Sequence, residues 1–258
     1  KGKDRADMKD FEEAKDRILM GIERKSIHMS NRARLNTAIH EAGHALACYY
    51  TQGSQQLYKA TIVSRGSSKG ATYTLPDESD MISLSKEKLL AHVDRALGGM
   101  AAEEIILKEY NPNNMNAITT GCGKDLSKAT DLAKRGVREF GMFGEEGSSF
   151  ISSSKDDTSD DYTSMVDLKV RQIIDDSHER VYNLLKSKKK EIETLAKNLF
   201  WHDYLTEKEI KEILSGSKLE KYHIREWDND DHYLLPFKDN EENTDPKLAS
   251  NHIVAGNS

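Results

Sequence analysis

Disulfide chemistry has almost nothing to work with in this chain. Two cysteines, Cys48 and Cys122, make no framework, and they are too far apart in sequence to form a C-x-x-C metal pair. So few cysteines leave a reducing compartment as the default. No run of about 18 apolar residues occurs, so no segment is expected to span a membrane, and the chain itself is expected to be soluble. The opening residues, KGKDRADMKDF, lack both the apolar stretch of a signal peptide and an initiator methionine. The chain is therefore read as a piece of a longer protein. Positive charge is not in excess either: the net charge of −6 argues against a surface built to grip nucleic acid. The basic run KSKKK at 186–190 sits inside a helix-like pattern and reads as a solvated face. No internal repeat is visible.

What is present suffices for one large domain, or one domain with appendages, in 258 residues. A hydrophobic share of 36% can build a core, although 32% charged residues and a mean hydropathy of −0.73 make the chain polar. Residues 9–25 read as a helix, with Phe11, Ala14, Ile18 and Ile22 at helical spacing. A second helix runs from Ser30, an N-cap, to Tyr50, with Gly53 just beyond it. YKATIVSRG and GATYTL read as two short strands joined by a Gly/Ser loop. Residues 85–110 are helical and contain the pair Gly98–Gly99, where another backbone can approach closely. A loop over 111–123 leads to a helix opening at Asp125 and reaching about Phe140. A polar stretch at 145–164 precedes one long helix at 165–199. A short last helix at 205–214 has Thr206 as its cap. Beyond Gly216 the sequence is acidic and Asn-rich without periodicity, and residues 216–258 read as a disordered tail. The expected fold class is mainly α (α+β), a helical domain with a small β-sheet beside the second helix.

That helix carries TAIHEAGHALACYY. At 100° per residue, Leu35, Ile39, Ala42 and Leu46 fall within a narrow arc, while His40 and His44 lie nearly opposite, beside Thr37, Glu41 and Cys48. A histidine that fills a core belongs in the apolar stripe, and these two are outside it. H-E-x-x-H on a helix sets two imidazoles one turn apart, where both can bind a single zinc ion. A catalytic site needs a third protein ligand and an open position. Glu41, at the flank of the same face, is placed to take a proton from a water that the metal acidifies. The competing reading is an exposed polar face that happens to hold two histidines. The small residues Ala38, Ala42, Gly43, Ala45 and Ala47 favour close packing near a metal instead. Gly43 costs about 1 kcal/mol against alanine in mid-helix, so it has a packing reason. Cys48 lies one further turn along, but the wheel drifts by about 40° per four residues, and it reads as a small core residue. For the third ligand the composition offers Glu103, Glu104, Asp125 and Asp131 without ranking them.

TAIHEAGHALACYYTQG, KATIVSRG, LGGMAAEEIIL, TTGCGKDLSKATDLAKRGV and EFGMFGE, in that order, resemble the peptidase domain of FtsH-type AAA metalloproteases, family M41. MKDFEEAKDRILMGIERKS resembles the link between the ATPase lid and that domain, and the KATI and EFGM blocks look closer to the mitochondrial i-AAA branch. The resemblance divides the chain into the end of a lid or linker helix (1–25), an M41-like zinc peptidase domain (26–215) and the tail (216–258). It implies a zinc endopeptidase with His40, His44 and Asp125 on Zn2+, Glu41 as base, and Glu103 orienting a zinc-bound histidine. Asp125 could instead merely cap its helix, and Glu103 could be an ordinary surface acid. The strand at 68–76 resembles the family's edge strand beside the zinc, with Gly70, Ala71, Thr72 and Tyr73 against a polypeptide substrate. By resemblance the parent is membrane-anchored, ATP-driven and hexameric, with ATP and Mg only in an ATPase domain that this chain does not include. It would degrade unfolded or membrane proteins, in the mitochondrial inner membrane or else in a plastid or bacterial membrane. No contact of this segment with nucleic acid or membrane is expected.

Cys122, Lys124 and Met100 depart from the family's usual residues, and a lysine beside Asp125 is expected to weaken the metal somewhat. GCGK fails as a phosphate loop, because Lys124 is followed by Asp125 rather than Ser or Thr. The alternative to a peptidase is a proteolytically inactive assembly or scaffold module, which the presence of Glu41 and all three ligand candidates opposes.

Overall fold

Ser30 starts the central helix of the fold by accepting the Ala33 N–H on its hydroxyl (3.3 Å). In the computed structural model, residues 5–23, 29–64, 70–76, 83–110, 119–144, 159–217 and 219 are described, with the backbone alone at 9, 109 and 110. All of these lie in one unit, Lys1–Arg225. Of the tail at 216–258, residues 218 and 220–258 lie outside the described residues, as do 145–158 of the polar stretch at 145–164, whose last residues, from Asp160, are helical instead. The helices are α1 (Met8–Met20), α2 (Asn31–Tyr50), α3 (Lys86–Tyr110), α4 (Cys122–Arg138), α5 (Asp160–Ser187), α6 (Lys189–His202) and α7 (Glu207–Leu214). The strands β1 (Leu57–Thr61), β2 (Ala71–Thr74) and β3 (Tyr204–Thr206) form an antiparallel sheet in the order β2-β1-β3. The mainly helical class with a small sheet beside α2 is what the sequence suggested.

Helix α2 packs against α3 on one side and α6 on another, with β1 nearby. Every residue from Ala38 to Cys48 is buried. The competing reading of an exposed polar face is therefore overturned: both faces are covered, and the histidine face meets α3 and α4 rather than solvent. Small residues permit this. A Cβ on Gly43 would stand 2.3 Å from the Gly98 carbonyl oxygen and 2.4 Å from the Ala102 Cβ. A Cβ on Gly98 would stand 2.7 Å from the Gly43 carbonyl oxygen. Gly43→Ala is expected to lower stability by about 1–3 kcal/mol in urea unfolding, because overpacking outweighs alanine's better helix propensity. Gly123→Ala, which meets nothing within 4 Å, is the control and should be neutral or slightly stabilising.

Five element boundaries differ from the sequence reading, one of them the start of α5, at Asp160 rather than 165. Helix α1 stops at Met20 because Gly21 takes φ 79°, and its predicted apolar face points outward, with Phe11, Ile18 and Ile22 all exposed. Asp16 ties this helix to the sheet, accepting from the Tyr58 hydroxyl (2.9 Å) and pairing with Lys59. Helix α4 begins at Cys122, three residues before Asp125, so Asp125 sits inside the first turn and does not cap it. The long helix at 165–199 is two helices broken at Lys188 (φ −110°, ψ 20°), where Lys188 N–H bonds back to the Leu185 carbonyl. No Gly or Pro marks that break. Its effect is to let α5 follow α3 and α4 while α6 turns onto α2. Strand β3 takes Leu205 and Thr206, which the sequence places in the last helix. It follows Asp203, held at φ 67° with its carboxylate 2.7 Å from Arg34 Nη2, and it ends in the capping box of Thr206 and Glu209 that starts α7.

Candidate metal centre

Three elements converge at the buried histidines of α2. His40 Nε2 and His44 Nε2 are 3.0 Å apart, and Asp125 Oδ2, from the first turn of α4, lies 3.3 Å from the former and 3.5 Å from the latter. The other ring nitrogens face acceptors. His40 Nδ1 lies 2.9 Å from Glu103 Oε1, on α3, and His44 Nδ1 lies 2.8 Å from the Arg95 carbonyl oxygen. Protons on both Nδ1 atoms leave both Nε2 lone pairs directed at the space shared with Asp125. Glu103 is itself clamped, accepting from the Thr119 N–H (2.6 Å) and the Thr119 hydroxyl (3.0 Å). Gly99 makes room for the His40 ring, since a Cβ there would fall 2.5 Å from its Cε1.

Glu41 lies on the same helix face and is buried, with its Oε2 accepting from the Thr72 hydroxyl of β2 (2.8 Å). Gly70 permits this closeness: a Cβ there would meet Glu41 Oε1 at 3.0 Å and Thr37 Cγ2 at 2.6 Å. Of the predicted strand residues, Thr72 thus touches the site directly. Ala71 pairs with Thr61, and Tyr73 pairs with Lys59 while its hydroxyl donates to the Met20 carbonyl. Glu104 and Asp131 are not brought in. Glu104 pairs with His178 and Lys108 on another face of α3, and Asp131 is exposed. Cys48 is a core residue beside Ser54 and Gln55. The lysine 3.3 Å from Asp125 Oδ1 is Lys128, one turn along, rather than Lys124. Two participants were missed in the sequence. Thr119 had a visible signal in the TTG block, while the Arg95 carbonyl is a backbone group and had none.

The electrostatics favour added positive charge. Burial alone lowers the His40 pKa, yet hydrogen bonds to Asp125, Cys122 and Glu103 and the Glu41 charge push it up to about 12. Burial works to raise the Asp125 and Glu103 pKa values, but the histidine contacts outweigh it and hold both carboxylates ionised, below their usual range. Glu41 goes the other way: burial raises it, against the opposing pull of His44, His40 and Thr72. Three carboxylates around two imidazoles form a cavity that a cation neutralises.

A zinc ion fits this donor set. Tetrahedral coordination at about 2.0–2.1 Å puts neighbouring ligand atoms about 3.3 Å apart, and the three separations of 3.0, 3.3 and 3.5 Å bracket that value. Two neutral imidazoles and one carboxylate are ligands zinc accepts, and three of them leave one position open.

Residues 27–213 match the family described as "Peptidase family M41". The chain belongs to peptidase family M41. Among its relatives, the "ATP-dependent zinc metalloprotease YME1 homolog" of Schizosaccharomyces pombe is 40% identical over 211 residues, covering 82% of this chain and 29% of that protein. The "Mitochondrial inner membrane i-AAA protease supercomplex subunit YME1" of Saccharomyces cerevisiae is 40% identical over 215 residues, 83% of this chain and 28% of that protein. The "ATP-dependent zinc metalloprotease FTSH 11, chloroplastic/mitochondrial" of Arabidopsis thaliana is 39% identical over 231 residues, 88% and 27% respectively. This M41 chain therefore spans less than a third of the length of these curated relatives. Among the described residues no helix is long and apolar enough to cross a membrane.

Proposed function

We propose that this M41 chain carries the zinc endopeptidase centre of a larger ATP-dependent protease, with His40, His44 and Asp125 as the metal ligands and Glu41 as the general base. The observation that carries the reading is the meeting of three donor atoms from α2 and α4 beside a buried carboxylate of raised pKa. When bound, zinc supplies Lewis acidity, polarising a carbonyl oxygen and acidifying a water. Glu41 accepts the proton of that water. Its raised pKa makes it a competent base, and its bond from Thr72 fixes the carboxylate's direction. Asp125 and the two Nε2 atoms set the geometry, and Glu103 holds the His40 ring so that its lone pair faces inward.

The substrate enters, in this reading, as an added strand. β2 is an edge of the sheet, and the Leu75 N–H is spent on the Gln56 carbonyl on the β1 side (2.9 Å). Alternation then turns the main-chain groups of Thr72 and Thr74 to the edge that no strand among the described residues pairs, where an extended chain can pair with them. Main-chain pairing requires an unfolded segment and demands little of its sequence. That suits degradation of unfolded polypeptides, with the zinc-loaded chain expected to cleave casein or a flexible peptide and to leave tightly folded proteins intact. Zinc loading without cleavage of a flexible peptide would overturn the endopeptidase reading.

The relatives' names support an ATP-dependent parent, and the inner-membrane and plastid/mitochondrial descriptions support a membrane-bound, organellar one. The mitochondrial inner membrane is our assignment for that parent, and a hexamer its expected assembly, checked by the mass of the full-length particle.

Glu103→Gln keeps the shape of the side chain but weakens its hold on His40. It is expected to lower zinc affinity about 10–100-fold in a competition titration with a chromophoric chelator. An unchanged affinity would remove Glu103 from the metal centre.

A further inference from the structure

Resting on the endopeptidase reading, we infer that Arg95 gives the substrate strand a preference: a carboxylate two positions along from the residue that faces Glu41. Arg95 lies on α3, half-buried, and its carbonyl is the one that holds His44. Its guanidinium reaches in the other direction, to the far end of β2. Nη1 donates to Thr74 Oγ1 (2.6 Å) and to Gln55 Oε1 (3.3 Å). Both acceptors are neutral, and no carboxylate among the described residues forms an ion pair with this guanidinium. A half-buried guanidinium whose acceptors among the described residues are neutral gains charge-assisted hydrogen bonds when a carboxylate arrives.

The strand geometry fixes where that carboxylate belongs. Thr72 and Thr74 are two apart, so their side chains lie on the same face of β2. The contacts agree: Thr72 reaches Glu41 and Thr74 reaches Arg95. A chain paired to the open edge of β2 sets the side chain opposite each threonine about 4.5–5.5 Å away on that same face. The residue opposite Thr72 is then at the reacting centre. The residue opposite Thr74, about 6.8 Å farther along, faces the guanidinium. The carboxylate can come from an internal Asp or Glu, or from the C-terminus of a short peptide.

Fluorescent peptides with one position varied among Asp, Ala and Lys test this. Binding is measured to the zinc-loaded Glu41→Gln protein, and cleavage by the native protein. At one position within three residues of the cut, Asp is expected to bind about fivefold tighter than Ala and Lys more weakly, the difference fading in 1 M salt. Arg95→Met should abolish the ranking, Arg95→Lys should retain it, and Arg95→Glu should invert it, each read as a ratio between peptides within one protein. C-terminally amidated peptides separate the sources: a ranking that survives amidation assigns a side chain, and one confined to free acids assigns the terminus. A charge-blind native protein, or an Arg95→Met protein that loses all peptides equally, overturns the inference and makes Arg95 a brace for β2. Because the ranking is read from binding, it stands or falls separately from cleavage: an uncleaved Ala peptide counts against the endopeptidase reading alone.

Discussion

Glu41→Gln is expected to keep its zinc and its fold while peptide cleavage falls by about 10²–10⁴-fold in kcat, the range spanned by removal of a general base. The amide retains the shape of the carboxylate and can still accept the Thr72 hydroxyl on its carbonyl oxygen, so β2 should stay in place. What it loses is the capacity to take a proton. Peptide affinity should change little, because the loss falls on the step that Glu41 assists. A burst of stability is also expected from this variant: burial disfavours the ionised Glu41 carboxylate, and a neutral amide escapes that cost in the metal-free protein. A kcat within threefold of the native value would remove Glu41 from the proton transfer.

Asp125→Ala is expected to abolish stoichiometric zinc binding at micromolar metal and with it all cleavage. The two histidines alone leave two positions to solvent, and the carboxylate that neutralises half of the ion's charge is gone. Thermal stability should respond in parallel. A ligand at a thousand times its Kd stabilises the folded state by about 4 kcal/mol, so native protein should melt well above the variant when zinc is present. With a chelator the gap should narrow to what the contacts of Asp125 with His40 and His44 contribute without metal. Asp125→Asn is the sharper version, since it keeps the volume of a residue inside the first turn of α4 but removes the charge. If that protein binds zinc as tightly as the native chain, the third ligand is elsewhere.

Much of this site was legible in the sequence because it is local. H-E-x-x-H fixes two imidazoles and a carboxylate by helical spacing alone, and Ser30 and Thr206 cap their helices through side chains a few residues away. Gly43 advertised a close approach, and Gly98 supplies its other half. What could not be read is tertiary. The wheel distinguished a histidine face from an apolar one but could not say that α3 and α4 cover it. The position of Asp125 within the first turn depends on Thr119 and Gly121 turning the chain early, and the break at Lys188 on where α6 must lie to meet α2. Propensity carries neither. The outward stripe of Phe11, Ile18 and Ile22 shows the opposite error, in which helical spacing of apolar residues was read correctly while burial did not follow.

The most direct test is X-ray absorption at the zinc edge of the metal-loaded chain. Two donor sets share His40: the one proposed here, with His44 and Asp125, and a second made with Glu103 and Cys122, whose Sγ lies 3.9 Å from His40 Nδ1. Zinc on His40, His44 and Asp125 should show only nitrogen and oxygen neighbours at about 2.0–2.2 Å, two of them imidazoles. A sulfur neighbour at about 2.3 Å would contradict this ligand set, placing the metal on Cys122 and away from Glu41.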